Sequence, residues 1–376
     1  MKTIFFYILL ILLLLSVFIT SCKKGEHSDL SLKCYNVEKA IYDKPIELCI
    51  DSISSEISVI PLETSDDILI KGISSVYLYL DFLFIIHTER SRCSVFDLKG
   101  KYLYDIGNRG NGPGEFLDIT CMFFSVDDVG ICDFLQKKIY YYSITGKFKN
   151  EVRMFTYLRY IKKINKNTFA GIMETSRDES NNRIIFFNLE GNVTDSIQYS
   201  AILKPIPGLS FFDDVNLFTY KNNHFFVEGY SDTIFRISDK LKLIPEYIMT
   251  TGKYAVSHHD RQVNFEKYRV GKRTLVIFEN DLYILSGHNN YTSSKNYLLI
   301  NKKTDKIENV ILKYNEEMTN IFADDWKMLG RNKYESLPVH LQVNGVSEDG
   351  SIILSYEYLK ENEDDNPVIV MVKIND

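Results

Sequence analysis

Several things are scarce in this chain, and each scarcity excludes a class of function. Basic residues are outnumbered, 44 Lys and Arg against 50 Asp and Glu, for a formal net charge of −6. No cationic stripe exists that would release counterions from a nucleic acid, so nucleic acid is not an expected partner. No Cys-x-x-Cys pair and no Cys/His spacing of a zinc site occurs. There is no Gly-x-Ser-x-Gly elbow, no Gly-Lys-Ser/Thr phosphate loop and no G-x-G-x-x-G turn. A cofactor is therefore not expected. Tryptophan is nearly missing, with one residue against 25 Tyr and 24 Phe. That aromatic balance suits half-buried pleated surfaces.

Long apolar runs are confined to one place. Met1-Lys2-Thr3 carries a single positive charge, and Ile4 to Ile19 contains none. This is the build of a secretory signal. It ends in Ile19-Thr20-Ser21-Cys22, which resembles the bacterial lipobox, and an uncleaved membrane anchor is the alternative. The expected layout is a signal peptide over 1–21, a lipidated Cys22 with a polar tether over 22–50, and one folded domain over 51–376. With Cys22 assigned to lipid, Cys34, Cys49, Cys93, Cys121 and Cys132 remain. The odd number speaks against a full disulfide framework. Cys34 and Cys49 are placed to close a small loop, whereas the other three lie in apolar strands and read as buried thiols.

What the chain has in quantity is a repeated phrase. Cys93-Ser94-Val95-Phe96-Asp97-Leu98-Lys99-Gly100-Lys101 is a short apolar strand running into a polar, glycine-bearing turn. It returns at Ile139 to Lys147, at Ile184 to Asn192 and at Thr233 to Lys240, and more loosely at Tyr297 to Thr304 and Val368 to Asp376. Each phrase is preceded by two further strand patterns, such as Val76 to Leu80 with Phe82 to Ile86, or Val215 to Phe218 with His224 to Val227. Repeats of this kind, built on strands and tight turns, predict a β-propeller, because one small twisted sheet cannot bury its own faces.

Six phrases predict an all-β fold, a single six-bladed propeller of four-stranded antiparallel blades. The sixth phrase runs into the C-terminus and leaves no room for an outer strand. Ile57 to Leu62, upstream of the first blade, alternates suitably and is predicted to close the last blade, tying the two ends together. Asn315 to Arg331, with Met318, Ile321, Phe322, Trp326 and Leu329 at helical spacing, predicts a small helical insertion.

Gly107-Asn108-Arg109-Gly110-Asn111-Gly112-Pro113-Gly114-Glu115-Phe116, directly after the first phrase, together with Ile60-Pro61-Leu62-Glu63-Thr64, resembles the six-bladed β-propeller lipoproteins common in Bacteroidetes. That resemblance implies a propeller related to NHL-repeat proteins, lipid-anchored in the cell envelope, without a settled biochemical role. Where that family often has Asp after the second strand of the first blade, this chain has His87.

Candidate chemistry is sparse. The glycine run is read as a long turn needing positive φ, with Arg109 and Glu115 pinning it. His87 and His288 follow inner strands and are candidates for the axial channel, while His258-His259-Asp260 falls in a loop. Acidic pairs such as Asp127-Asp128, Asp213-Asp214 and Asp324-Asp325 fall in turns. Asp51-Ser52-Ile53, Asp195-Ser196-Ile197 and Asp232-Thr233-Ile234 resemble an O-glycosylation sequon of Bacteroidetes envelope proteins. The expectation is a non-enzymatic module, anchored in the envelope and outer membrane at its periplasmic or surface face, that binds or scaffolds a carbohydrate, peptide or envelope protein. Its candidate contacts are His87, Arg109, Glu115, His288, Phe322 and Trp326. The alternative is an NHL-like lyase or hydrolase with a metal or acid group at the axis.

Overall fold

The computed structural model describes residues 32–65, 68–173, 182–198, 215–228, 231–255, 273–289, 296–313, 342–346, 351–356 and 366–376. The leader, Cys22, His258-His259-Asp260 and the 315–331 insertion with Phe322 and Trp326 lie outside the described residues.

Six sheets follow one another along the chain. Blade 1 contains Ile73–Tyr79, Phe82–His87, Cys93–Asp97 and Tyr102–Asp105. Blade 2 contains Ile119–Ser125, Asp128–Asp133, Lys138–Ser143 and Phe148–Arg153. Blade 3 contains Leu158–Asn165, Thr168–Met173, Asn182–Phe187 and Val193–Gln198. Blade 4 contains Val215–Tyr220, Asn223–Glu228, Thr233–Ile237 and Leu243–Thr250. Blade 5 contains Arg273–Glu279, Tyr283–Asn289, Tyr297–Asn301 and Ile307–Lys313. Blade 6 contains Gln342–Val346, Ile352–Tyr356 and Val368–Ile374. In every blade the recurring phrase is the third strand. The tight turn after it needs positive φ, supplied by Gly100 at 79°, Gly146 at 81° and Gly191 at 78°.

The sixth blade is completed as the sequence predicts. Ser54–Pro61 pairs antiparallel with Val368–Ile374, with Ile60 opposite Ile369 and Ile57 opposite Val372. Asn366 locks this seam. Its side chain is buried, accepts from the Ile70 N–H at 2.5 Å, and donates to the carbonyls of Glu63 at 2.6 Å and Ile68 at 3.0 Å.

Why the second and third strands read as continuous apolar runs follows from what each face touches. Successive strand residues point to opposite faces. In Phe82–His87, Phe84 and Ile86 pack toward blade 2, while Leu83 and Ile85 pack toward blade 6. The described core divides into clusters lying between successive blades, the one between blades 6 and 1 included, so the ring is closed by packing as well as by pairing. Each fully buried Phe or Leu contributes about 1.5–3 kcal/mol.

Residues 33–50 depart from the tether expected over 22–50. Lys33–Asn36 joins blade 4 beside Leu243–Thr250 as a fifth strand, and Ile46–Cys49 joins blade 5 in parallel beside Ile307–Lys313. Between them runs a short helix, Glu38–Tyr42. Tyr35, Val37, Ala40 and Ile41 are buried between blades 4 and 5, and Ile50 and Ile53 between blades 5 and 6. These sparse apolar residues form no period of their own, because their partners lie far along the chain in blades 4 to 6. The same arrangement places Cys34 and Cys49 on different sheets. Both are exposed, and they are not the ends of a closed loop. Cys93, Cys121 and Cys132 are buried, as expected.

Among the described residues, no helix is long and apolar enough to cross a membrane.

Candidate binding face

In an antiparallel blade the start of the first strand, the end of the second, the start of the third and the end of the fourth share one edge. Connections from second to third strand, and from each blade to the next, therefore emerge on one face of the ring. On the opposite face the connections are tight: residues 80–81, 126–127, 166–167 and 221–222 each join two strands. On the first face the chain makes longer crossings, as at residues 106–118 between blades 1 and 2, whereas the turns 188–192 and 238–242 between third and fourth strands fall on the opposite side. Loops carried on a rigid frame are where propellers place recognition.

The candidate site on this face spans blades 1 to 3. Gly107 to Phe116 forms the first crossing, with Asn108–Arg109 paired in parallel to Glu115–Phe116. Gly107 has φ 59°, and a Cβ there would sit 2.6 Å from the Phe116 ring and the Tyr142 hydroxyl. Glu115 turns back on the loop, its carboxylate accepting from the Gly112 N–H at 2.8 Å. Gln136 of blade 2 fastens the loop from below, donating to the carbonyls of Gly110 at 3.0 Å and Glu115 at 3.3 Å. The glycine run is thus a built turn, as the sequence implies. Glu115 pins it, while Arg109 stands exposed at its rim.

His87 does not serve the channel role expected of it. It is 1% exposed, with Nε2 2.8 Å from the Ser94 hydroxyl. Ser94 in turn donates to Asp105 at 2.7 Å, and Arg92 donates to the same carboxylate at 2.8 Å. Because a carboxylate only accepts, the serine proton faces Asp105, and His87 must carry its proton on Nε2. The chain is closed within blade 1 and holds its outer strands together. Burial lowers the affinity of His87 for a second proton, and Glu89 opposes this. His288 lies on the second strand of blade 5, opposite Thr274. Blade 6 separates it from blade 1, so the two histidines are not neighbours. Among the described residues no group of three His, Cys, Asp or Glu is arranged to hold a metal ion.

What the structure does bring together is a cation and aromatic stack that the sequence did not reveal. Arg90, in the loop after His87, has φ 54° and reaches Asp118 at 2.8 Å. The Ile119 N–H bonds back to the Arg90 carbonyl at 2.6 Å, fastening blade 1 to blade 2. Burial raises the Asp118 pKa above the ordinary carboxylate value, Arg90 pulls it down, and Asp133 adds repulsion. The Arg159 guanidinium lies 4.8 Å from the Phe134 ring centre, Phe134 is 5.0 Å from Tyr157, and the Lys137 ammonium is 4.0 Å above Tyr157. The Met154 N–H donates to the Lys137 carbonyl at 2.8 Å, which sets the 134–137 turn beside 154–157. Two large apolar side chains stand in solvent on these segments, Leu135 at 53% and Phe155 at 57% exposure. Isolated Arg, Phe and Tyr residues carry no motif, so only their meeting across three blades marks them.

Of the three sequon-like tripeptides, Ser52 is exposed and donates to the Cys49 carbonyl at 2.6 Å, while Ser196 and Thr233 are half-buried.

Comparison with known proteins supports the architecture. A family described as "Domain of unknown function (DUF4934)" matches residues 32–373. No curated protein matches the sequence. A protein of Bacteroides fragilis NCTC 9343, described as exported, is similar in structure with a TM-score of 0.65 at 17% identity, covering 89% of this chain and 98% of the other. A member of the DUF4221 family from Bacteroides vulgatus has a TM-score of 0.54 at 11% identity, covering 85% of this chain and 96% of the other. At these identities the likeness is one of fold.

Proposed function

From the premise that the chain belongs to the DUF4934 family, we propose that it is a non-enzymatic binding module of the cell envelope, lipid-anchored through Cys22 at the outer membrane. It engages a carbohydrate, a peptide or an envelope protein through the face bearing the long connections. The observation that carries this reading is the stack of Arg159, Phe134, Tyr157 and Lys137, flanked by exposed Leu135 and Phe155, on that face. Flat rings offer C–H contact area, and the cations offer donors for hydroxyl or carbonyl groups. The apolar leader ending at Cys22 and the exported character of the Bacteroides fragilis neighbour support the location.

The enzyme reading draws less support. His87, its principal candidate, is buried and bound to the Ser94–Asp105 pair.

The test is affinity capture of the tagged chain from gently crosslinked envelopes of its own host. The wild type should retain a stoichiometric partner or glycan. Tyr157→Ala combined with Phe155→Ser should lose at least ten-fold in retention, while Lys303→Ala on the opposite face should not. Equal retention by all three proteins would overturn the assignment of this face.

A further inference from the structure

Two cysteines are used by nothing described so far. Cys121 lies on the first strand of blade 2 and Cys132 on the second, directly opposite in register. Residues so paired point to the same face, with Cβ atoms about 4.5–5.5 Å apart. Both belong to the cluster between blades 2 and 3, among Ile139, Leu158 and Phe169. Neither thiol is bonded to the other in this structure, and burial, helped by the proximity of Cys132, holds the Cys121 thiol pKa up. A disulfide needs Cβ atoms about 3.5–4.5 Å apart, so closure asks for a shift on the order of 1 Å. The strand is irregular just there, since the register shifts between Ile119 and Cys121. Cys93, the other buried cysteine, contacts Met122 Sδ instead.

We propose that Cys121 and Cys132 form an intrablade disulfide when this chain folds in an oxidising compartment. The proposal rests on the envelope location argued above. The oxidant is a disulfide of a dithiol oxidoreductase or of a small thiol such as glutathione. One cysteine thiolate attacks a sulfur of that disulfide, breaking its S–S bond and releasing the first thiol. The second cysteine thiolate then attacks the mixed disulfide and releases the second thiol. The cysteines are oxidised, the external disulfide is reduced, and the two cysteine protons end on the two released thiols.

Timing follows from burial. Cys121 is 3% and Cys132 2% exposed, and burial raises the Cys121 thiol pKa well above its ordinary value. The folded pair is therefore closed to reagents, and oxidation precedes the packing of blade 2 on blade 3. The two residues sit in one hairpin, which forms early and locally. Oxidation removes the Cys132 S–H that lies 3.7 Å from the Leu158 carbonyl, but Thr120 Oγ1 still donates to that carbonyl at 3.2 Å. No buried acceptor is orphaned.

The experiment uses the full chain made with its own leader in its host, recovered by cell fraction, alkylated under denaturing conditions without reductant, and digested with trypsin. Residues 110–137 contain both cysteines and no internal Lys or Arg, so they form one peptide. The expected peptide carries no alkyl group and is lighter than its reduced form by two hydrogen atoms. A second sample is reduced, unfolded, and refolded in a glutathione redox buffer before the same treatment. Two alkyl groups on this peptide after refolding, or in material from the envelope fraction, overturn the proposal. Free thiols in a chain found only in the cytoplasm, with the disulfide formed on refolding, would refute the location and leave the pair supported. Cys121→Ser should expose Cys132 to alkylation in the denatured sample, and Cys93→Ala should leave the peptide unchanged.

Discussion

Replacing Asn366 by Ala should loosen the ring at the seam where its two ends meet. The side chain makes three hydrogen bonds to main-chain groups of the segment that leads from the closing strand into blade 1: the N–H of Ile70, the carbonyl of Glu63 and the carbonyl of Ile68. The site is dry, with Asn366 2%, Ile68 0% and Ile70 3% exposed. A net contribution of about 1 kcal/mol per bond gives about 3 kcal/mol, and buried partners left unsatisfied raise this toward 5. With about 2.1 cal/mol/K of unfolding entropy per residue over roughly 340 residues, 3 kcal/mol corresponds to a fall of about 4 °C in Tm. Calorimetry of the wild type and the variant, checked by urea denaturation, reads this directly. Asn366→Asp sharpens the test. At neutral pH a carboxylate faces two carbonyls and destabilises more than Ala, whereas a protonated carboxyl restores one donor, so its deficit should shrink on acidification. If the Ala variant loses less than about 1 kcal/mol and the Asp variant shows no pH dependence relative to wild type, the seam is not held as argued.

Three further outcomes are expected. Burial lowers the pKa of His87 and of His224, so the unfolded chain binds more protons than the folded one below about 6.5; stability should fall as pH drops through that value, and His87→Gln with His224→Gln should flatten the loss in a pH series of denaturation midpoints. Gly100→Ala should cost at least about 3 kcal/mol, since φ is 79° and the new Cβ would lie 1.8 Å from the Pro61 carbonyl oxygen, while Gly112→Ala, which meets only the movable Glu115 carboxylate at 3.0 Å, should cost less than about 1 kcal/mol in the same assay. Arg183 and Glu228 form a buried ion pair between blades 3 and 4, so Glu228→Leu alone should lose about 3–5 kcal/mol by chemical denaturation, and Arg183→Met added to it should recover most of that.

The repeat was legible because each blade writes its own signal. The turn after Asp97 needs Gly100, the turn after Ser143 needs Gly146, and both faces of Leu83 to Ile86 must be apolar when a blade stands on either side. Closure was legible for a related reason, since Ile57 to Leu62 alternates as a strand does ahead of the first blade, and it pairs with the third strand of blade 6. The 33–50 segment was not, because Tyr35, Val37, Ile41 and Ile50 satisfy contacts made by blades 4 to 6 and show no period among themselves. His87 was misjudged for the same reason: its surroundings are set by Ser94 and Asp105 on two other strands.

The sequence by itself determined the architecture of this protein, because strand, turn and face alternation are local and repeat. Only the tertiary structure decided which residues meet at the candidate site. Arg90 meets Asp118, Arg159 meets Phe134, and Cys121 meets Cys132 through strand register and the stacking of blades. The first two pairings are set by the stacking of one blade on the next and the third by the register of a hairpin, and no spacing of residue types along the sequence encodes them.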